Sequence, residues 1–130
     1  MDKNRSIDIV SNDDFPLIQV IGQKNVYVEK WFKVMGETVL QLLNSSHFAN
    51  EANETSYEES LYLIGNGATE YYGARFRSYF VAPETGNYTF LSWCDDSCQL
   101  RLSPNANPLE SKVILYQATF VPSNHAWGER

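Results

Sequence analysis

Cysteine and histidine are scarce in this chain, with two of each among 130 residues. A dense disulfide framework is therefore excluded, and His47 and His125 lie at no spacing from Cys94 and Cys98 that suits a zinc site. Long apolar runs are missing as well. No stretch approaches the roughly 18–20 residues of a membrane-spanning helix, and Met1-Asp2-Lys3-Asn4-Arg5 is not followed by the apolar stretch of an export signal. Basic charge is short, with ten Lys and Arg against sixteen Asp and Glu for a net charge of −6, a balance that repels a phosphate backbone. Nucleic acid is not an expected partner. What the chain holds in quantity is aromatic residues, three Trp, eight Tyr and seven Phe, in a length that suits one domain spanning residues 1–130.

Those aromatics fall with β-branched residues into short alternating runs separated by turn residues, the pattern of strands. Residues 6–10, 17–21 and 26–32 read as strands, with Asn12-Asp13-Asp14 and Gly22-Gln23-Lys24-Asn25 between them. A single short helix is expected near residues 37–43, where Val39, Leu42 and Leu43 share a face and Asn44-Ser45-Ser46 ends it. Residues 47–70 are polar and patchy and read as surface loop, and the last clear strand is expected at 112–121. The fold class read from this pattern is all-β.

Between these lies the strongest local pattern. Residues 75–81 and 88–93 alternate around the turn Ala82-Pro83-Glu84-Thr85-Gly86-Asn87, which predicts a hairpin. Residues 88–94 and 98–102 then flank Asp95-Asp96-Ser97, which predicts a second. Pairing Cys94 with Cys98 also pairs Ser92 with Leu100 and Phe90 with Leu102, placing apolar residues on one face. Opposed residues in such a ladder have Cα atoms about 4.5–5.5 Å apart, within reach of a disulfide. So small a closed loop gains only about 2 kcal/mol in the chain-entropy account, so the bond's main effect is to stiffen the tip.

Asp95 and Asp96 at that tip form the one constellation with a distinct chemistry. Successive side chains of an extended strand point to opposite faces, so neighbouring carboxylates share a ligand only where a tight turn or a cis peptide brings them to one side. A hard cation such as calcium then relieves their repulsion and completes its shell with carbonyls, water or the hydroxyls of a sugar. The plain alternative is a hydrophilic turn. Catalysis is not expected, since glycoside hydrolysis needs two carboxyls about 5–9.5 Å apart across the scissile bond. Arg75 and Arg77 share a strand face and are expected to pair with carboxylates.

The run Tyr72-Gly73-Ala74-Arg75-Phe76-Arg77-Ser78-Tyr79-Phe80-Val81-Ala82-Pro83-Glu84-Thr85-Gly86-Asn87-Tyr88-Thr89-Phe90, followed by Cys94-Asp95-Asp96-Ser97-Cys98-Gln99-Leu100-Arg101-Leu102-Ser103, resembles the signature of the protective-antigen fourteen-kilodalton domain. Toxins, yeast flocculins, fibrocystins and glycosidases share that domain. Upstream, Val28-Glu29-Lys30-Trp31, Gly36-Glu37-Thr38-Val39, Leu43 and Asn53-Glu54-Thr55-Ser56-Tyr57 are similar to its fibrocystin-like branch. The likeness runs from Val26 to Trp127, and nothing in the chain matches the family's last two strands.

The resemblance implies a jelly-roll-like sandwich in an extracellular protein, secreted or at the cell surface, that binds a glycan or glycoprotein. It implies calcium held by Asp95 and Asp96 and a carbohydrate site formed by Asp95, Asp96, Ser97 and Trp93, the last placed to stack on a sugar ring. Four N-glycosylation acceptor patterns, at Asn4, Asn44, Asn53 and Asn87, suit that setting. Two other readings remain at this stage, a structural module of a larger receptor or adhesin without a ligand, and an accessory domain that targets a glycosidase.

Overall fold

The computed structural model describes residues 26–61 and 71–120 in full and the backbone of residues 4–11. The predicted strand at 17–21 lies outside the described residues. Among the described residues there are six strands: β1 (Asn4–Ser11), β2 (Val26–Phe32), β3 (Glu54–Glu58), β4 (Tyr72–Val81), β5 (Cys98–Leu102) and β6 (Lys112–Gln117). One short helix, α1 (Val39–Leu43), and a 3-10 turn at Pro108–Glu110 complete the elements. The protein is all-β. The described strands join in one six-stranded sheet of order β3-β2-β4-β1-β5-β6, every neighbouring pair antiparallel, and form no second sheet of a sandwich.

The two predicted hairpins do not form. β4 has its edges filled by β1 and β2, and β5 has its edges filled by β1 and β6. A strand offers two hydrogen-bonding edges and no more, so residues 88–97 have no ladder to join and run as irregular backbone. They cover the sheet instead. Tyr88 and Phe90 meet Phe80 edge-on, with ring centroids 5.1 and 5.4 Å away. The predicted loop at 47–70 is also corrected, because it contains β3, which pairs with β2 from Lys30↔Glu54 to Val26↔Glu58.

Alternation then divides the side chains between two faces. Val26 and Val28 of β2, Tyr72, Ala74, Phe76 and Phe80 of β4, and Leu100 and Leu102 of β5 form the larger buried cluster, joined by Leu61 and Ala82. The opposite parity of β2 and β4 carries Glu29, Trp31, Gly73 and Arg75, paired as Glu29↔Arg75 and Trp31↔Gly73. On this side Trp31, Val34, Val39 and Leu42 form a second, smaller cluster, and Phe48 packs against it. Gly73 is required there, since a Cβ at this position would stand 2.3 Å from the Leu42 side chain.

Helix α1 is a single turn, too short to persist without caps and packing. Thr38 supplies the cap. Its hydroxyl accepts the Gln41 N–H at 3.2 Å, and the Gln41 side chain accepts the N–H groups of Thr38 at 2.9 Å and Glu37 at 2.8 Å. Gly36 precedes this box with φ +115°, a left-handed conformation suited to glycine.

At the far edge, β6 shows Val113, Ile114 and Tyr116 to solvent. A bulge interrupts its pairing with β5, where Leu100 faces Leu115 but Arg101 faces Val113.

Candidate functional site

The Asp95–Asp96 pair sits in the three-residue connection Asp95-Asp96-Ser97, closed by a disulfide between Cys94 and Cys98, whose Cα atoms are 6.1 Å apart. That separation exceeds the value expected for opposed hairpin residues because the cysteines are not opposed. Cys98 belongs to β5 and stands across from Ser11 and Gln117, while Cys94 is outside any strand. Both are fully buried, and the bond occupies both sulfurs, leaving neither as a thiolate ligand or nucleophile. The peptide bond between Asp95 and Asp96 is cis. Both aspartates are half-buried, as is Trp93 just ahead of them.

Two contacts from distant elements fix this tip. Ser97 is 0 % exposed, and its hydroxyl accepts the backbone N–H of Val39 at 2.8 Å, a donor at the start of α1 with no partner inside the helix. Ser97 therefore faces inward and joins the tip to α1, which corrects its expected place against a sugar. On the other side, the side-chain Nε2 of Gln117 donates to the carbonyls of Cys94 at 2.7 Å and Thr119 at 2.9 Å, with the Asp96 carbonyl at 3.5 Å. Sequence reasoning singled out neither Val39 N–H nor Gln117. Nothing local signals either, because the contacts span 58 and 23 residues.

The remaining predicted residues fall elsewhere. Asn44, Asn53 and Asn87 are exposed, while the Asn4 side chain is outside the described residues. Asn53 has a structural task besides, its side-chain oxygen accepting the Phe32 N–H at 2.8 Å beside the β2–β3 ladder. Arg75 and Arg77 both pair with Glu29, at 2.7 and 3.1 Å. His47 is exposed in the segment after α1.

As a donor set the tip is hard oxygen from two adjacent carboxylates, which fits the preference of calcium and provides part of its six to eight ligands. Among the described residues no three His, Cys, Asp or Glu side chains gather at one point. The Cys94 carbonyl is already an acceptor for Gln117. An ion held by Asp95 and Asp96 would thus keep several positions for water or for the oxygens of a bound molecule. Comparison of the chain with models of known families, with curated proteins and with solved structures found no match.

Proposed function

We propose that this protein is a non-catalytic extracellular binding module that recognises a glycan or glycoprotein through the Asp95–Asp96 tip, with calcium as the shared ion. One observation carries the reading. Two consecutive, partly exposed aspartates sit on a connection held by a disulfide at its base, by Ser97 from the α1 side and by Gln117 from the β6 side. Like charges placed side by side repel, and a hard divalent ion is the ligand that turns this repulsion into binding. Open positions on the ion accept neighbouring hydroxyls of a sugar, and Trp93 offers an aromatic surface close by in the chain. Cell-surface or secreted placement agrees with the disulfide and with the exposed acceptor asparagines at 44, 53 and 87.

Calcium titration of the oxidised protein, followed by calorimetry, tests the proposal. Saturable binding is expected in the unmodified chain and its loss in Asp95→Asn and Asp96→Asn. A glycan array read with and without EDTA should show a signal only with calcium. A chain that neither takes up calcium nor gives an EDTA-sensitive signal would overturn the lectin reading. The structural-module reading then stands, favoured by the inward Ser97, which makes the tip a joint between α1 and the sheet.

A further inference from the structure

Gln117 lies near the end of β6, an edge strand whose neighbours in sequence are largely apolar and exposed. Its side chain is nonetheless the hub of a three-carbonyl cluster drawn from Cys94, Asp96 and Thr119. An amide nitrogen carries two hydrogens, and the shorter distances give these to Cys94 and Thr119. The assignment of nitrogen and oxygen is settled by the surroundings, since a flipped amide would aim its oxygen at carbonyl oxygens. The Cys94 carbonyl belongs to the peptide unit that leads into Asp95, so this bond fixes the backbone from which the first carboxylate projects. A disulfide alone fixes the ends of the connection but not the orientation of the peptide planes within it.

We infer that Gln117 is a positioning residue for the Asp95–Asp96 tip, locking the entry peptide and the end of β6 into one unit so that the tip is preorganised before any ion arrives. The consequence for binding rests on the proposed function; the consequence for the order of the tip does not. Two carboxylates alone do not fill the six to eight positions of a calcium ion, so the remaining oxygens come from backbone carbonyls, water or a bound molecule. Calcium and a ligand that supplies paired hydroxyls or a carboxylate then bind with mutual reinforcement.

Gln117→Met keeps the length and flexibility of the side chain and removes both donors. Hydrogen exchange of the ion-free oxidised protein should show the amides of residues 95–98 exchanging about tenfold faster in this variant, with those of β2 and β4 unchanged. Leu115→Ala, which loosens β6 without touching the tip's carbonyls, serves as the control and should leave exchange at 95–98 near that of the unmodified chain. Unchanged exchange in Gln117→Met, or equal acceleration in Leu115→Ala, would overturn the inference. Calcium titration of the same variant should show affinity weakened about fivefold or more, reflecting the cost of ordering the tip at binding. If the unmodified protein takes up no calcium while Gln117→Met still frees the tip, the functional proposal fails and the positioning role stands. If the unmodified protein binds calcium and the variant binds it equally well, the positioning role fails and the site survives.

Discussion

The two faces of the β2–β4 pair are built from the same strands by opposite means. One face presents Val26, Val28, Phe76 and Phe80 to a cluster completed by Leu100 and Leu102 of β5, and its cohesion comes from the exclusion of water. The other presents Tyr27, Glu29, Trp31, Arg75 and Arg77, where contacts are directional. Glu29 accepts from Arg75 Nε at 2.7 Å and Nη2 at 3.1 Å, the Arg75 guanidinium lies 5.5 Å from the Trp31 ring and 5.3 Å from the Phe48 ring, and Arg77 lies over Tyr27. The lesson is a division of labour. The apolar face holds the sheet together, whereas the mixed face fixes the position of α1, and α1 in turn holds Ser97 and the tip.

The division predicts that the largest stability loss follows truncation on the apolar face. Phe76 is 0 % exposed and central to its cluster, so Phe76→Ala should cost about 3–5 kcal/mol in urea unfolding. A loss no greater than that of the mixed-face changes below would break the comparison.

Gly73 tests the seam between the sheet and α1. Its added Cβ would meet the Leu42 Cδ1 at 2.3 Å in a packed cluster, so Gly73→Ala should destabilise by about 1–3 kcal/mol. Combining it with Leu42→Ala opens the space the methyl group needs, and the double-mutant cycle should show a favourable coupling of about 0.5–3 kcal/mol. Additive costs would mean that the contact does not set the helix position. Faster exchange at residues 95–98 in Gly73→Ala alone would sharpen the comparison, by tying the mixed face to the tip through Val39 and Ser97.

Alternation in the sequence tells which side of a strand faces a core, but it does not tell which strand lies next to it. That is why residues 26–32 and 98–102 were legible as strands with the observed bounds, while both predicted hairpins were not realised. The missing information was the pairing of β1, whose residues 6–10 read as a strand but whose place in the sheet did not. Seventy or more positions from β4 and β5 in the chain at several registers, it pairs with both, Ile7 standing opposite Ser78 on one side and Leu102 on the other. Local turn chemistry at 82–87 and 95–97 could not reveal a competitor so remote. The helix was legible because Val39 and Leu42 of its expected face and its end at Asn44 are all local, although Leu43, expected on the same face, is exposed. At the tip, the acids were legible because they adjoin one another and are flanked by the two cysteines. The inward turn of Ser97 was not, since it depends on an unsatisfied helix N–H far away in sequence.

The ion pairs of the mixed face give the smallest expected effect and the finest test. Glu29 is nearly buried and serves two arginines, yet Arg77 keeps 45 % of its side chain exposed, so much of that second attraction is screened by water. Arg75, at 24 %, retains the better geometry, with two bonds to one carboxylate. Replacing the carboxylate by an amide in Glu29→Gln preserves shape, removes the charge and places an NH2 group where an acceptor is needed, so a cost of about 1–2 kcal/mol is expected after discounting the exposed partner. Lys30 and Glu54 pair at 3.1 Å with Glu54 51 % exposed, and Lys30→Ala should cost less than about 0.5 kcal/mol. Measured by urea unfolding at low and at high salt, the Lys30 effect should vanish as screening increases, while most of the Glu29 effect should persist. Equal salt sensitivity of the two would mean that the Glu29 cluster acts as a surface ion pair, and the mixed face would then owe its order to Trp31, Val34, Val39 and Leu42 alone.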